Sequence, residues 1–176
     1  MQTYIALLRG INVGGKKKIK MVDLKMHLKE ERFEQIETYI QSGNIVFKTI
    51  DGSCSAFAKV IQEKIMSVYG FEILVIVLKI ENLEKILSNC PFVGEAREQS
   101  YFTIFHSVPE AVVIKKVNDL VLKNEQFKVT QHCVYLYPSN GYGRAKGNNN
   151  FFEKKLKVAA TTRNYKTIKR LMEMVG

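Results

Sequence analysis

The first 79 residues show a hydrophobic pattern that predicts six secondary-structure elements. Residues 3–9 form a nearly continuous apolar run, which is typical of a strand buried on both faces. Apolar residues then recur at helical spacing, which predicts helices near residues 21–31 and 57–68, the second ending at Gly70 as a C-cap. Further strands are predicted at residues 37–41, 44–49 and 73–78. The order β-α-β-β-α-β is the split βαβ, or ferredoxin-like, plan.

The same order of elements recurs in the second half of the chain. A connecting helix is predicted at residues 81–89 and a new strand at residues 101–106. Residues 107–110 read S-V-P-E, a capping box with proline in the first turn, which predicts a helix running to about Lys123. The remaining pattern predicts strands at residues 126–131, 133–137 and 158–162, and helices at residues 151–156 and 165–175.

These elements together predict an α+β fold of two tandem ferredoxin-like subdomains with antiparallel sheets. The predicted division is a first subdomain at residues 1–79, a connecting helix and linker at residues 80–100, and a second subdomain with a terminal helix at residues 101–176. Sequence identity between the halves is negligible, so the duplication is inferred from the element order alone.

Positive charge is concentrated at the two ends of the chain. The 27 Lys and Arg residues outnumber the 17 Asp and Glu residues, which gives a net charge of +10. Residues 1–50 carry a net +4 and residues 144–176 a net +7, whereas residues 51–143 carry −1. If folding brings the ends together, they form one positive surface that attracts an anion or a polyanion. The alternative is a solvated basic exterior that maintains solubility.

The stretch YIALLRGINVGGKKKIKM places Gly10, Gly15 and Lys16 at the G-x-x-x-x-G-K spacing of a phosphate-binding loop. A nucleoside-triphosphatase loop also needs a Ser or Thr after the lysine to bind magnesium, and this position is Lys17. The helix is predicted to begin only near residue 21, whereas such a loop leads directly into its helix. The sequence therefore argues against a triphosphatase.

A more general prediction of anion binding survives for this loop. Glycines let the backbone approach a ligand closely, the Asn12 amide can donate and accept hydrogen bonds, and Lys17 and Lys18 add positive charge. The alternative is that the glycines only permit a tight turn. The predicted ligand-binding residues here are Arg9, Gly10, Asn12, Gly14, Gly15 and Lys16.

Two further stretches carry candidate binding residues. In QSGN, the residues Gln41, Ser42 and Asn44 either serve a hairpin turn or lie beside the glycine loop. In TTRNYKT, Asn164 is predicted to cap the last helix, with Thr161, Thr162 and Arg163 near its positive end. This arrangement suits an anion, and simple capping is the alternative. The predicted ligand-binding residues of this corner are Thr162, Arg163 and Asn164.

Three stretches, YIALLRGINVGGKKKIKM, TYIQSGNIVF and ATTRNYKTIKRL, closely resemble the bacterial family catalogued as domain of unknown function 1697. They span residues 4–171, so the resemblance covers essentially the whole chain. It implies a pair of ferredoxin-like α+β subdomains, and it implies no activity. The chain departs from the usual family pattern at Tyr165, where relatives tend to have tryptophan, and at Lys17, where asparagine is common. The family motif residues present are Arg9, Gly10, Asn12, Gly14, Gly15, Lys16, Gln41, Ser42, Gly43, Asn44, Thr161, Arg163 and Asn164.

No catalytic constellation is recognisable in the sequence, and neither a metal site nor a cofactor is predicted. The three histidines and three cysteines are scattered, without CxxC or metal-ligand spacing. No apolar run approaches the roughly 18 residues that span a bilayer, and the N-terminus lacks the features of a signal peptide. We therefore expect a protein of the cytoplasm with reduced thiols and no membrane partner, and the family resemblance implies a bacterial source.

Two functions from different classes remain open. The first is an anion- or phosphate-binding protein that binds nucleic acid through a basic surface, although the strands lack the aromatic motif of RNA-recognition sheets. The second is an enzyme or sensor for a small anionic or phosphorylated metabolite held between the subdomains. A protein–protein adaptor with an acidic partner is a third alternative, and the sequence does not define the oligomeric state.

Overall fold

A computed structural model describes residues 1–175 of the chain as a mixed α+β protein with two four-stranded antiparallel sheets. The chain divides into two compact units. Unit 1 comprises Met1–Glu84 together with the chain from Leu171 onward, and unit 2 comprises Lys85–Arg170. The predicted α+β class is therefore confirmed.

Unit 1 is organised around a sheet of strand order β2-β3-β1-β4. The central strand β1 pairs antiparallel with β3 on one side and with β4 on the other. In chain order the elements are β1 (Gln2–Leu8), α1 (Met21–Lys29), β2 (Glu34–Tyr39), β3 (Asn44–Thr49), α2 (Cys54–Tyr69), β4 (Val75–Lys79) and α3 (Ile80–Ser88), the last of which continues into unit 2.

The hydrophobic pattern explains the core of unit 1. Every residue from 4 to 8 on β1 is fully buried, as expected for an apolar strand covered on both faces. The helix α2 buries Ala58, Ile61 and Ile65, which share one face at helical spacing. It ends where Gly70 adopts a left-handed conformation with φ +75° and donates its backbone N–H to the Met66 carbonyl at 2.9 Å. The predicted C-cap is confirmed.

Unit 2 repeats the strand arrangement with a sheet of order β6-β7-β5-β8. Its central strand β5 pairs antiparallel with β7 and with β8. In chain order the elements are α4 (Gly94–Glu98), β5 (Tyr101–Phe105), α5 (Ala111–Asn118), β6 (Glu125–Val129), β7 (Cys133–Pro138), a 3-10 turn (Tyr142–Arg144), α6 (Asn149–Leu156), β8 (Ala160–Asn164) and α7 (Tyr165–Glu173). The short helix α4 was not predicted from the sequence.

The predicted capping box at residues 107–110 is wrong. Helix α5 begins at Ala111 with Glu110 as its N-cap residue, and no side chain caps it. Val108 precedes Pro109, and a residue before proline is disfavoured in the helical region, so a helix cannot readily start through it. The helix also ends early, at Asn118 rather than Lys123, because the Asn118 side chain bonds both the N–H and the carbonyl of Val129 on β6.

Several predicted strand boundaries were displaced. Strand β2 covers Glu34–Tyr39 rather than residues 37–41, since Ile40 adopts a left-handed conformation with φ +50° and turns the chain. Strand β8 covers Ala160–Asn164 rather than residues 158–162. Thr161, Thr162 and Arg163 are consequently strand residues, and only Asn164 adjoins the start of α7.

Candidate functional site

The glycine loop of unit 1, residues 9–20, joins β1 to α1 and is largely exposed. Gly14 and Gly15 adopt left-handed conformations with φ +57° and +75°, which glycine adopts without strain. The backbone N–H groups of Gly14 and Gly15 donate no hydrogen bond to any of residues 1–175. An ideal Cβ on either residue would meet no atom within 4 Å, so both glycines border open space. The loop thus presents N–H groups to solvent.

The Asn12 side chain stabilises the loop by hydrogen bonds to backbone groups. Its Nδ2 donates to the Ile19 carbonyl at 2.8 Å and to the Gln41 carbonyl at 2.7 Å, and its Oδ1 accepts from the Ile19 N–H at 2.9 Å. Both amide donors are therefore used within unit 1. The structure gives Asn12 a role in shaping the loop, and its role as a ligand-binding residue stays a prediction.

The QSGN stretch lies against the glycine loop. Gly43 has φ +80°, and its carbonyl accepts from the Leu8 N–H at 2.8 Å. A Cβ at Gly43 would lie 2.6 Å from the Leu8 Cβ and 2.9 Å from the Ile11 Cδ1, so the two strand ends meet at a distance only glycine permits. Asn44, which is fully buried, donates to the Tyr39 carbonyl and to the Ser42 Oγ, both at 3.0 Å. The predicted proximity of this stretch to the loop is confirmed.

The lysines of the loop differ in whether their ammonium groups have partners within unit 1. Lys17 donates from Nζ to the Glu72 carbonyl at 2.6 Å and lies 5.9 Å from the centre of the Phe71 ring. Lys16, Lys18 and Lys20 are exposed, and none of the three forms an ion pair with any residue the structure describes. Three exposed ammonium groups thus belong to the same loop as the two glycines.

A pocket of about 590 Å³ opens beside the loop within unit 1. Lys18 and Lys20 line it together with Gly15, and the Tyr69 ring and Ile19 supply its apolar wall. Asp23, in the first turn of α1, adds a carboxylate. The other lining residues are Asn12 and Gln41. This volume lies in the range of roughly 300–1,000 Å³ that small-molecule sites occupy.

The late start of α1 distinguishes this loop from a triphosphate-binding loop. The helix begins at Met21, five residues after Lys16, and Lys20 precedes it as an N-cap residue without a side-chain cap bond. In a triphosphate-binding loop the helix N-terminus follows the glycines directly, so that its dipole faces the phosphate. The predicted late start of this helix is confirmed.

Arg163 in unit 2 is buried. Only 8% of its surface is exposed, and its Nη1 donates to the Thr161 Oγ1 at 2.8 Å and to the Thr162 carbonyl at 2.9 Å. Burial lowers the pKa of Arg163 to about 10, so the guanidinium remains protonated at neutral pH. The Arg163 guanidinium is hydrogen-bonded to its own strand, and its role as a ligand-binding residue stays a prediction.

Thr162 and Asn164 are placed differently from Arg163. The Thr162 hydroxyl lies 2.8 Å from the Thr103 Oγ1 and donates to the Asn149 Oδ1 at 2.9 Å. Asn164 is exposed, and its Oδ1 accepts from the Thr167 N–H at 2.8 Å, which confirms the predicted N-cap of α7. The predicted convergence of this corner with the glycine loop stays a prediction.

Sequence reasoning missed Ile19, Lys20, Asp23 and Tyr69 as pocket residues. The place of Asp23 in the pocket could have been recognised from the sequence, because Asp23 follows Lys20 by three residues at the start of a predicted helix. The place of Tyr69 could not, because only the packing of α2 brings this residue to the loop. No group of three or more potential metal-ligating side chains occurs in residues 1–175.

Four aromatic residues of the sheets are too deeply buried to serve as a base-stacking platform. Tyr4 and Phe47 in unit 1, and Phe102 and Tyr135 in unit 2, are each at most 1% exposed. RNA-recognition sheets instead display such rings on an open face. Tyr39, on the edge strand β2, and Tyr101 and Tyr137, on the inner strands β5 and β7, are half-buried. The Tyr101 ring is stacked on the Tyr142 ring, with 4.3 Å between their centroids.

The family described as "Protein of unknown function (DUF1697)" matches residues 1–135. The chain belongs to this family. No curated protein matches it significantly. Its fold is similar to that of a conserved bacterial protein from Streptococcus pneumoniae, with a TM-score of 0.77, 28% sequence identity and 99% of each chain covered. Among the described residues, no helix has the length and apolarity to cross a membrane.

Proposed function

We propose that this protein binds anions, and that the glycine loop of unit 1 holds the phosphate group of its ligand. The observation that carries the proposal is the set of exposed lysines, Lys16, Lys18 and Lys20, around the N–H groups of Gly14 and Gly15. Backbone N–H groups and ammonium groups are the donors with which proteins bind phosphate.

The contrast with other lysines of unit 1 supports this proposal. Lys64 lies 3.0 Å from the Glu30 carboxylate and 2.5 Å from that of Glu31, and Lys79 lies 3.0 Å from Asp51. Lys64 and Lys79 therefore have acidic partners, whereas Lys16, Lys18 and Lys20, like Lys25, Lys29 and Lys48, form no ion pair with a described residue. Repulsion among neighbouring ammonium groups is relieved when an anion binds between them.

The geometry favours a compact ligand over a nucleic acid. The loop lies beside a pocket of small-molecule size, and the sheet aromatics Tyr4, Phe47, Phe102 and Tyr135 are buried. Nucleic-acid binding is kept as a second candidate because the net charge of +10 would attract a polyanion to any exposed basic surface.

The proposal includes two ferredoxin-like units in tandem. Both sheets share one strand order, in which the second, third, first and fourth strands of each unit are neighbours. In both units one helix follows the first strand and another follows the third. This is the split βαβ arrangement repeated twice.

A cytoplasmic location is also part of the proposal. Cys54, Cys90 and Cys133 are all free thiols, and reduced cysteines are typical of proteins in a reducing compartment.

Isothermal titration calorimetry with inorganic phosphate and pyrophosphate tests the proposal. The variant Lys18→Gln/Lys20→Gln removes two loop charges, and Lys154→Gln/Lys155→Gln removes two exposed charges of α6 as a matched control. We expect the loop variant to weaken binding by about tenfold, or ~1.4 kcal/mol, and the control by less than about threefold. Equal losses in both variants, or no binding by the wild type, would contradict the proposal.

A second titration, with single-stranded RNA over a series of salt concentrations, examines the nucleic-acid candidate. If RNA binds more tightly than pyrophosphate, and both double variants weaken it equally, the general basic surface is the binding element. If pyrophosphate competes with RNA only in the wild type and the α6 control, the loop is the anion site.

A further inference from the structure

The pocket beside the glycine loop contains one group that a site for a bare phosphate would not need. The Asp23 carboxylate lines the same pocket as Lys18 and Lys20. It is half-buried and forms no ion pair with a described residue. A carboxylate at an anion site repels the anion, so Asp23 would weaken the binding of inorganic phosphate.

From this geometry we infer that the ligand is a phosphate ester carrying hydroxyl groups, a sugar phosphate, whose phosphate contacts the loop lysines and whose hydroxyls donate to Asp23. This inference rests on the proposed function and names the chemical class of its ligand. A carboxylate accepts hydrogen bonds and cannot donate them when ionised, so the ligand has to supply the donors.

Hydroxyl donors fit this pocket better than an ammonium donor. Lys18 and Lys20 outnumber Asp23 among the lining charges, so the pocket stays positive with the carboxylate ionised. A second cation would be repelled by both lysines, whereas a neutral hydroxyl donates to Asp23 without that repulsion.

The wall of the pocket supports a ligand larger than a phosphate ion. The Tyr69 ring and Ile19 are apolar surfaces against which a sugar ring can pack. The Tyr69 hydroxyl is buried and has no hydrogen-bond partner among the described residues. Burial and, to a lesser extent, the nearby charge of Asp23 raise the pKa of Tyr69, which keeps the phenol neutral.

The test compares ribose 5-phosphate, inorganic phosphate and ribose as titrants in calorimetry. The wild type is expected to bind ribose 5-phosphate at least about tenfold more tightly than inorganic phosphate, because hydrogen bonds to a charged group are strong. Ribose alone is expected to bind too weakly to measure. Asp23→Asn should lower the preference for ribose 5-phosphate to less than about threefold, while inorganic phosphate binds as tightly as before or more tightly.

Asp119→Asn, the same chemical change in unit 2, serves as the matched control and should keep the wild-type preference. Asp23→Ser is a second variant if the amide disturbs the first turn of α1, and thermal unfolding reports whether each variant is folded. An unchanged preference in folded Asp23 variants would overturn the inference.

The failure of this inference can be separated from the failure of the proposed function. Equal binding of ribose 5-phosphate and inorganic phosphate, with both lost in Lys18→Gln/Lys20→Gln, would overturn the sugar-phosphate inference and leave the loop as an anion site. No binding of either phosphate compound by the wild type would overturn both.

Discussion

The two regions singled out by sequence place their cationic residues in opposite environments. In the glycine loop of unit 1 the cations Lys16, Lys18 and Lys20 are exposed and form no ion pair within the described chain. In the β8 corner of unit 2 the cation Arg163 is buried and bonded to its own strand. A basic motif is therefore a binding candidate only where its charges remain in solvent, and a motif that folds inward contributes mainly to stability.

The largest expected effect concerns the contact between Gly43 and β1. Gly43→Ala would place a Cβ 2.6 Å from the Leu8 Cβ in a left-handed conformation. We expect a loss of about 2–4 kcal/mol in the free energy of unfolding, from overpacking and backbone strain together. Urea unfolding followed by circular dichroism measures this loss.

Gly70→Ala is the control for this substitution. Gly70 has a similar φ of +75° but open space around its Cβ position, so only the backbone strain applies, about 1–2 kcal/mol. If the two variants lose the same stability, the close approach of Gly43 to β1 is not what requires glycine there.

The next prediction compares the loss of stability on removing the buried cation Arg163 with the loss on removing an exposed loop lysine. Arg163→Ala removes a buried side chain and its bonds to Thr161 and Thr162, and should destabilise the protein by about 2–3 kcal/mol. Lys18→Ala, on the exposed loop, should change stability by less than about 0.5 kcal/mol. Thermal unfolding of both variants makes the comparison, and similar effects would contradict the division between the two regions.

A smaller effect on stability is expected when the hydroxyl group of either Tyr69 or Tyr135 is removed. The Tyr69 hydroxyl in unit 1 is buried without a partner, whereas the Tyr135 hydroxyl in unit 2 donates to the Ile86 carbonyl at 2.8 Å. Tyr69→Phe should therefore leave stability unchanged or raise it by about 1 kcal/mol, and Tyr135→Phe should lower it by about 1 kcal/mol. Urea unfolding of both variants measures the difference, and a destabilised Tyr69→Phe would show that this hydroxyl has a partner in solution.

Much of the fold could be predicted because the strongest patterns were local. The apolar run of β1 and the spacing of Ile61 and Ile65 on α2, with Gly70 after it, specified strand, helix and cap without tertiary information. The end of α5 could not be predicted, because it depends on the bonds of Asn118 to Val129, which lies eleven residues away. Tertiary contacts there override a favourable helical pattern.

The candidate site was predictable only in part for the same reason. The glycines and lysines of the loop share one stretch of sequence, so their proximity needed no fold. Asn12 could be recognised as polar, but its bonds to Ile19 and Gln41 depend on the folded loop. Arg163 appeared as a cation near a helix N-terminus, whereas its burial follows from its pairing with Phe102 across the sheet.

The most direct test of the central claim follows backbone amide signals by nuclear magnetic resonance during titration with inorganic phosphate. The account predicts that the Gly14 and Gly15 amides shift most and in proportion to one another, while Gly141 and Gly143 in unit 2 stay unmoved. Shifts that bypass Gly14 and Gly15 and concentrate on unit 2 would contradict the claim that the glycine loop is the anion site.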